Sequence, residues 1–132
     1  MTRFFHRWAD DESLTSDVLV QAVLEIEGGL SDGDLGGGII KKRVRVGGRG
    51  KSGGARVLLA TNRRDRWIFI YGFLKNQRAN ISHPELVALR ELSRDLLALT
   101  EEQLDDRTHA KVLIEIGPQA AGAAEPNSPR GP

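Results

Sequence analysis

Residues 39–74 read IIKKRVRVGGRGKSGGARVLLATNRRDRWIFIYGFL, and the pattern of this stretch decides the fold. From Ile39 to Val46 the chain alternates with the period of a strand. Lys41, Arg43 and Arg45 share one face, and Lys42, Val44 and Val46 share the other. Ala55 to Thr61 predicts a second strand and Trp67 to Leu74 a third. The third is apolar on both faces, which predicts a central, covered position. Gly47 to Gly54 and Asn62 to Asp65 are short, turn-forming connections, so the three strands read as an antiparallel meander.

Helices are predicted on both sides of this meander. Thr15 or Ser16 caps a first helix whose Leu19, Val23, Ile26 and Leu30 recur at helical spacing, with Gly28-Gly29 at its end. A turn-rich segment, Ser31 to Gly38, leads into the sheet. Beyond the sheet, Ser82 and Glu85 form a capping box, Pro84 sits in the first turn, and Ile81 and Leu86 occupy the positions of a hydrophobic staple. Leu86, Leu89, Leu92, Leu96 and Leu99 make the apolar stripe of that helix. Thr100 and Gln103 repeat the capping pattern and start a short helix to about Asp106. Arg3 to Trp8 reads as a short first strand or the run into one, and Lys111 to Ile116 as a last strand. The expectation is a small α+β domain over residues 1–116, with an antiparallel sheet packed by two to three helices. Residues 117–132 hold Pro, Gly, Ala and Ser without periodicity and are expected to be a disordered tail.

A length of 132 residues suits one buried core. There is no cysteine, which excludes disulfides and thiolate metal sites. No apolar run approaches the length of a membrane span, and the first residues lack a secretory pattern, so a cytoplasmic protein is expected.

The net charge of +1 conceals a strong asymmetry. Twelve of the nineteen basic residues lie between Ile40 and Arg78, where Asp65 is the single acid, so this stretch carries +11 and the remainder −10. A surplus of that size on one part of a chain points to a polyanion-binding face. The bland alternative is that Lys and Arg only solvate strand edges and discourage edge pairing.

The glycines at 47–54 imitate two nucleotide motifs. Gly48-Arg49-Gly50-Lys51-Ser52-Gly53 has the spacing of a dinucleotide fingerprint, but it joins two strands, with no helix to receive a pyrophosphate. Gly50-Lys51-Ser52 resembles the end of a phosphate-binding P-loop, but Arg45 stands where that motif needs glycine. A hairpin that lets Arg49 and Lys51 reach a phosphate chain fits better; a plain flexible connection is the alternative. At the other end of the meander, Tyr71 to Ile81 places Lys75, Asn76, Arg78 and Asn80 where a strand hands over to a capped helix. That suits either a site or a solvated turn. His6, His83 and His109 are scattered and show no metal-ligand spacing. Trp8 and Trp67 read as packing residues.

Three segments together, Lys42-Arg43-Val44-Arg45-Val46, Gly50-Lys51-Ser52-Gly53-Gly54-Ala55-Arg56-Val57 and Tyr71-Gly72-Phe73-Leu74-Lys75-Asn76, resemble the RelE/HigB toxins of type II toxin–antitoxin systems. The likeness spans roughly Arg3 to Leu99. It implies a RelE-like α+β fold, an antitoxin as partner, and cleavage of mRNA on the ribosome without metal or other cofactor. The RNA 2′-hydroxyl would attack the adjacent phosphate. Such chemistry needs a base, an acid and stabilisation of charge at phosphorus, which lysines and arginines can supply together. By the resemblance, Arg56 stabilises the transition state, Lys51 is base or positions substrate, and Lys75 is acid or phosphate ligand. Lys42, Arg43, Arg45, Arg49 and Arg78 would hold mRNA or rRNA. Two other readings remain open: a non-catalytic nucleic-acid-binding module, and a topoisomerase-inhibiting toxin of the ParE type.

Overall fold

The computed structural model of the protein describes residues 1–46 and 54–116. In chain order the elements are α1 (Arg3–Asp11), α2 (Ser16–Glu27), β1 (Gly33–Gly36), β2 (Ile39–Val44), β3 (Ala55–Thr61), β4 (Trp67–Leu74), α3 (His83–Leu97) and α4 (Glu101–His109). The strands form one antiparallel sheet in the order β1-β2-β3-β4. This is the small α+β meander expected. The tail predicted from residue 117, and the connection from 47 to 53 with Arg49 and Lys51, lie outside the described residues.

Each face of the sheet carries its own core. On one face, Ile40, Val44, Val57, Leu59 and Phe69 pack against Phe5 and Ala9 of α1 and Leu19, Ala22 and Ile26 of α2. On the other, Ile39, Leu58, Ala60, Ile68 and Ile70 meet Leu86, Leu89 and Leu96 of α3. The double cover explains why β3 and β4 are largely apolar on both faces. It also corrects the position of β4, which is covered on both faces but stands at an edge of the sheet.

The segment expected as a first strand is α1. Thr2 caps it by accepting from the Phe5 N–H at 3.1 Å. Phe5, Trp8 and Ala9 recur at helical spacing and form the buried stripe, with Phe5 against Phe69 at 5.2 Å between ring centres. The turn-rich segment contains β1, joined to β2 by Gly36, Gly37 and Gly38 at positive φ. The cause is tertiary. A Cβ on Gly38 would lie 2.7 Å from Leu97 Cδ1, and one on Gly37 2.9 Å from Arg90 Cγ. The same close approach lets Ser93 donate to the Gly37 carbonyl at 2.7 Å and Arg90 to that of Leu35 at 2.8 Å. The last expected strand is reduced to one bridge, Thr2 to Leu113, and α4 runs a turn further than predicted.

Both predicted capping boxes form. Ser82 and Glu85 exchange the two bonds of a capping box at the start of α3, and Thr100 and Gln103 do so at the start of α4. Between these helices, Arg66 is buried and spends its guanidinium on the carbonyls of Leu96, Leu97 and Leu99 and on Glu101. These include carbonyls that the end of α3 would otherwise leave unsatisfied.

A bulge in β4 positions the side chains of the site. Leu58 pairs with Tyr71 but Leu59 with Phe69, so Ile70 is an extra residue against β3. Strict alternation would send Tyr71 and Phe73 to the face of α1. The bulge turns both to the face of α3, the side that carries Arg56. Gly72 then points towards α1, where the Trp8 ring occupies the space of a side chain: a Cβ would come within 2.2 Å of it.

Candidate nucleic-acid interface

On the face that α3 packs against, two cross-strand rows lead outward from the α3 core. Arg43, Arg56 and Phe73 are register partners across β2, β3 and β4, and Lys41, Leu58 and Tyr71 form the next row. Like charges directly opposite on neighbouring strands are destabilising. Arg43 stands opposite Arg56 in that register, so two cations are neighbours across β2 and β3. Arg43 is exposed and Arg56 half-buried, with an Arg56 Nη1–H reaching its neighbouring Ala55 carbonyl at 3.5 Å. The Arg43 backbone is fixed by Asp32, whose carboxylate accepts its N–H at 2.6 Å.

Arg78 closes over this surface from the link between β4 and α3. Its guanidinium lies 5.7 Å from the Phe73 ring centre and donates to the Tyr71 hydroxyl at 3.2 Å. It also makes a two-pronged pair with Glu85, at 2.5 and 3.1 Å, and donates to the Asn80 carbonyl at 2.9 Å. The Arg78 guanidinium and the Ser82 backbone N–H hold the Glu85 carboxyl at a pKa of about 2. Partial burial and the nearby Glu85 charge push the Tyr71 phenol up. Glu85 thus does two jobs: it caps α3 and orients Arg78.

Lys75 follows β4 directly. Its N–H donates to Gly54 at 3.0 Å, and its ammonium to the Ala79 carbonyl at 3.3 Å. Gly54 must be glycine here, since its φ is +51° and a Cβ would meet the Val44 carbonyl oxygen at 2.6 Å. Arg45 is exposed just beyond β2.

Of the residues singled out in the sequence, the structure puts Arg43 and Arg56 in one cross-strand row with Phe73, Arg78 over the Phe73 ring, and Lys75 just past the end of the same strand. Lys42 is a correction. It turns to the α2 side, is only 8 % exposed, and its ammonium meets Glu25 at 2.8 Å. A cation buried on the opposite face and already paired is not placed to contact RNA. Sequence reasoning passed over Glu85 as anything but a cap. It also passed over Phe4, which is exposed on α1 and stacks on Tyr71 with centres 6.3 Å apart and planes 7° from parallel. The adjacent Phe4-Phe5 pair was a usable signal, because a helix capped at Thr2 buries one ring and exposes the other.

Among the described residues, no three His, Cys, Asp or Glu side chains converge as metal ligands would, and no helix is long and apolar enough to cross a membrane. Comparison with curated proteins and with solved structures finds no match. A family model described as the RelE toxin of the RelE/RelB toxin–antitoxin system does match, over residues 1–116. The chain belongs to the RelE toxin family, and its natural counterpart is an antitoxin.

Proposed function

We propose that the protein is a ribosome-dependent mRNA endonuclease that blocks translation. The observation that carries this reading is Arg43 facing Arg56 across the sheet, beside Arg78 held on Phe73. Paired guanidiniums on a rigid strand framework are suited to the charge that builds on a phosphate under attack. In the proposed reaction the 2′-oxygen bonds to phosphorus and the bond from phosphorus to the 5′-oxygen breaks. The products are a 2′,3′-cyclic phosphate and a 5′-hydroxyl. Lys51 takes the 2′-hydroxyl proton and Lys75 protonates the departing 5′-oxygen, while Arg56 neutralises the phosphorane. Arg43, Arg45, Arg49 and Arg78 hold the RNA backbone. The chemistry needs no cofactor. Cytoplasmic action and neutralisation by a cognate antitoxin belong to the same proposal.

Inducible expression in a bacterium tests it. Wild-type protein is expected to arrest growth with fragmentation of mRNA, and Arg56→Ala to restore growth at equal protein level. Arrest with intact mRNA and impaired DNA supercoiling would replace this reading with that of a topoisomerase inhibitor.

A further inference from the structure

Phe4 is the most exposed large apolar side chain among the described residues, at 65 %. It is nevertheless rigidly placed. The Thr2 cap and the buried Phe5 fix the phase of α1, and Tyr71 backs the ring from one side. Tyr71 is itself held by Arg78 and Glu85, and its ring centre is 6.4 Å from that of Phe73, the register partner of Arg56. Phe4, Tyr71 and Phe73 therefore form a continuous aromatic line from α1 to the arginine row.

The charges around Phe4 favour a polyanion. Arg3 opens α1, Arg7 shares the Phe4 face one turn on, and both are exposed. The first turn holds Arg3 and no acid, so a cation stands at the positive end of the helix dipole. Such an arrangement does not serve the helix. It does serve a ligand that is anionic along its backbone and flat and apolar in its bases, which is the chemistry of single-stranded nucleic acid.

We infer that Phe4, backed by Tyr71, is a stacking platform for an unpaired RNA base next to the phosphate held by Arg56 and Arg43. This rests on the proposed function for the arginine row and adds a base-binding position to it. Arg7 then contacts the backbone on the far side of the stacked base.

The test uses a short single-stranded RNA that carries 2-aminopurine at successive positions. Wild-type protein is expected to quench the fluorophore at one position. Phe4→Leu is expected to lose that quenching and bind about tenfold more weakly, within the range of base–aromatic stacking, while Phe4→Trp retains both. An RNA lacking the base at that position should bind wild type and Phe4→Leu equally. Equal affinity and quenching for wild type and Phe4→Leu, with thermal stability unchanged, would overturn the inference. So would a Phe4→Leu protein that binds RNA normally but is no longer neutralised by the cognate antitoxin. If that RNA is bound and Arg56→Ala abolishes mRNA cleavage while Phe4→Leu changes nothing, only the platform fails. If wild type neither binds RNA nor cleaves mRNA, the proposed function fails with it.

Discussion

Replacing Gly72 by alanine probes the contact that joins α1 to the site. The added methyl would lie 2.2 Å from Trp8 Cζ3 and 2.6 Å from Cε3 and Cη2, where ordinary contact begins near 3.4 Å. The ring must retreat by about 1.2 Å, and it is held by Phe5 at 5.6 Å between ring centres. Gly72 is not in the left-handed region, so alanine brings no backbone strain. Overpacking of this kind costs roughly 1–3 kcal/mol. Loss of glycine's freedom in the unfolded chain returns about 0.4–1 kcal/mol. The expected net loss is about 1–2 kcal/mol, or a fall in Tm of roughly 4–10 °C for a domain of this size. Urea and thermal denaturation measure it, and a double-mutant cycle isolates the cause. In a Trp8→Val background, which opens the space, Gly72→Ala should become neutral or slightly stabilising. An equal loss in both backgrounds would refute the steric argument.

Other perturbations separate the remaining elements. Lys42→Met should leave RNA affinity and its salt dependence unchanged, whereas Arg43→Ala should lower the salt slope by about 1, as read by titration at several salt concentrations. Glu85 has its pKa depressed on folding, so its stabilising effect is present above its ordinary value of 4.5 and lost as pH falls towards about 2. The stability gap between wild type and Glu85→Gln in urea denaturation should therefore narrow across that window. Arg66→Ala, which strands the carbonyls of Leu97 and Leu99, should cost about 3 kcal/mol in the same assay without touching the arginine row.

The limits of β3 and β4 and the cap of α3 were legible because they rest on local causes: alternation, turn residues and a capping box. Features with tertiary causes were not. The glycines at 36–38 read as a turn, yet they are small because Arg90 and Leu97 press on a hairpin from α3. The bulge at Ile70 leaves no mark in the apolar run, so the shared face of Arg56, Tyr71 and Phe73 could not be read from strand parity. Lys42 shows the opposite case. Alternation already put it on the face away from Arg43, but its charge drew it into the RNA-binding set. At the N-terminus the segment from Arg3 to Trp8 was expected as a strand, while the cap at Thr2 and the spacing of Phe5, Trp8 and Ala9 carried the helix.

The proposed cleavage of mRNA at the arginine row is tested by end analysis of mRNA from translating ribosomes incubated with purified protein. Fragments ending in 2′,3′-cyclic phosphate and beginning with 5′-hydroxyl are expected, formed equally in the presence of a chelator and absent with Arg56→Ala. Intact mRNA, or the same fragments from wild type and Arg56→Ala, would contradict it.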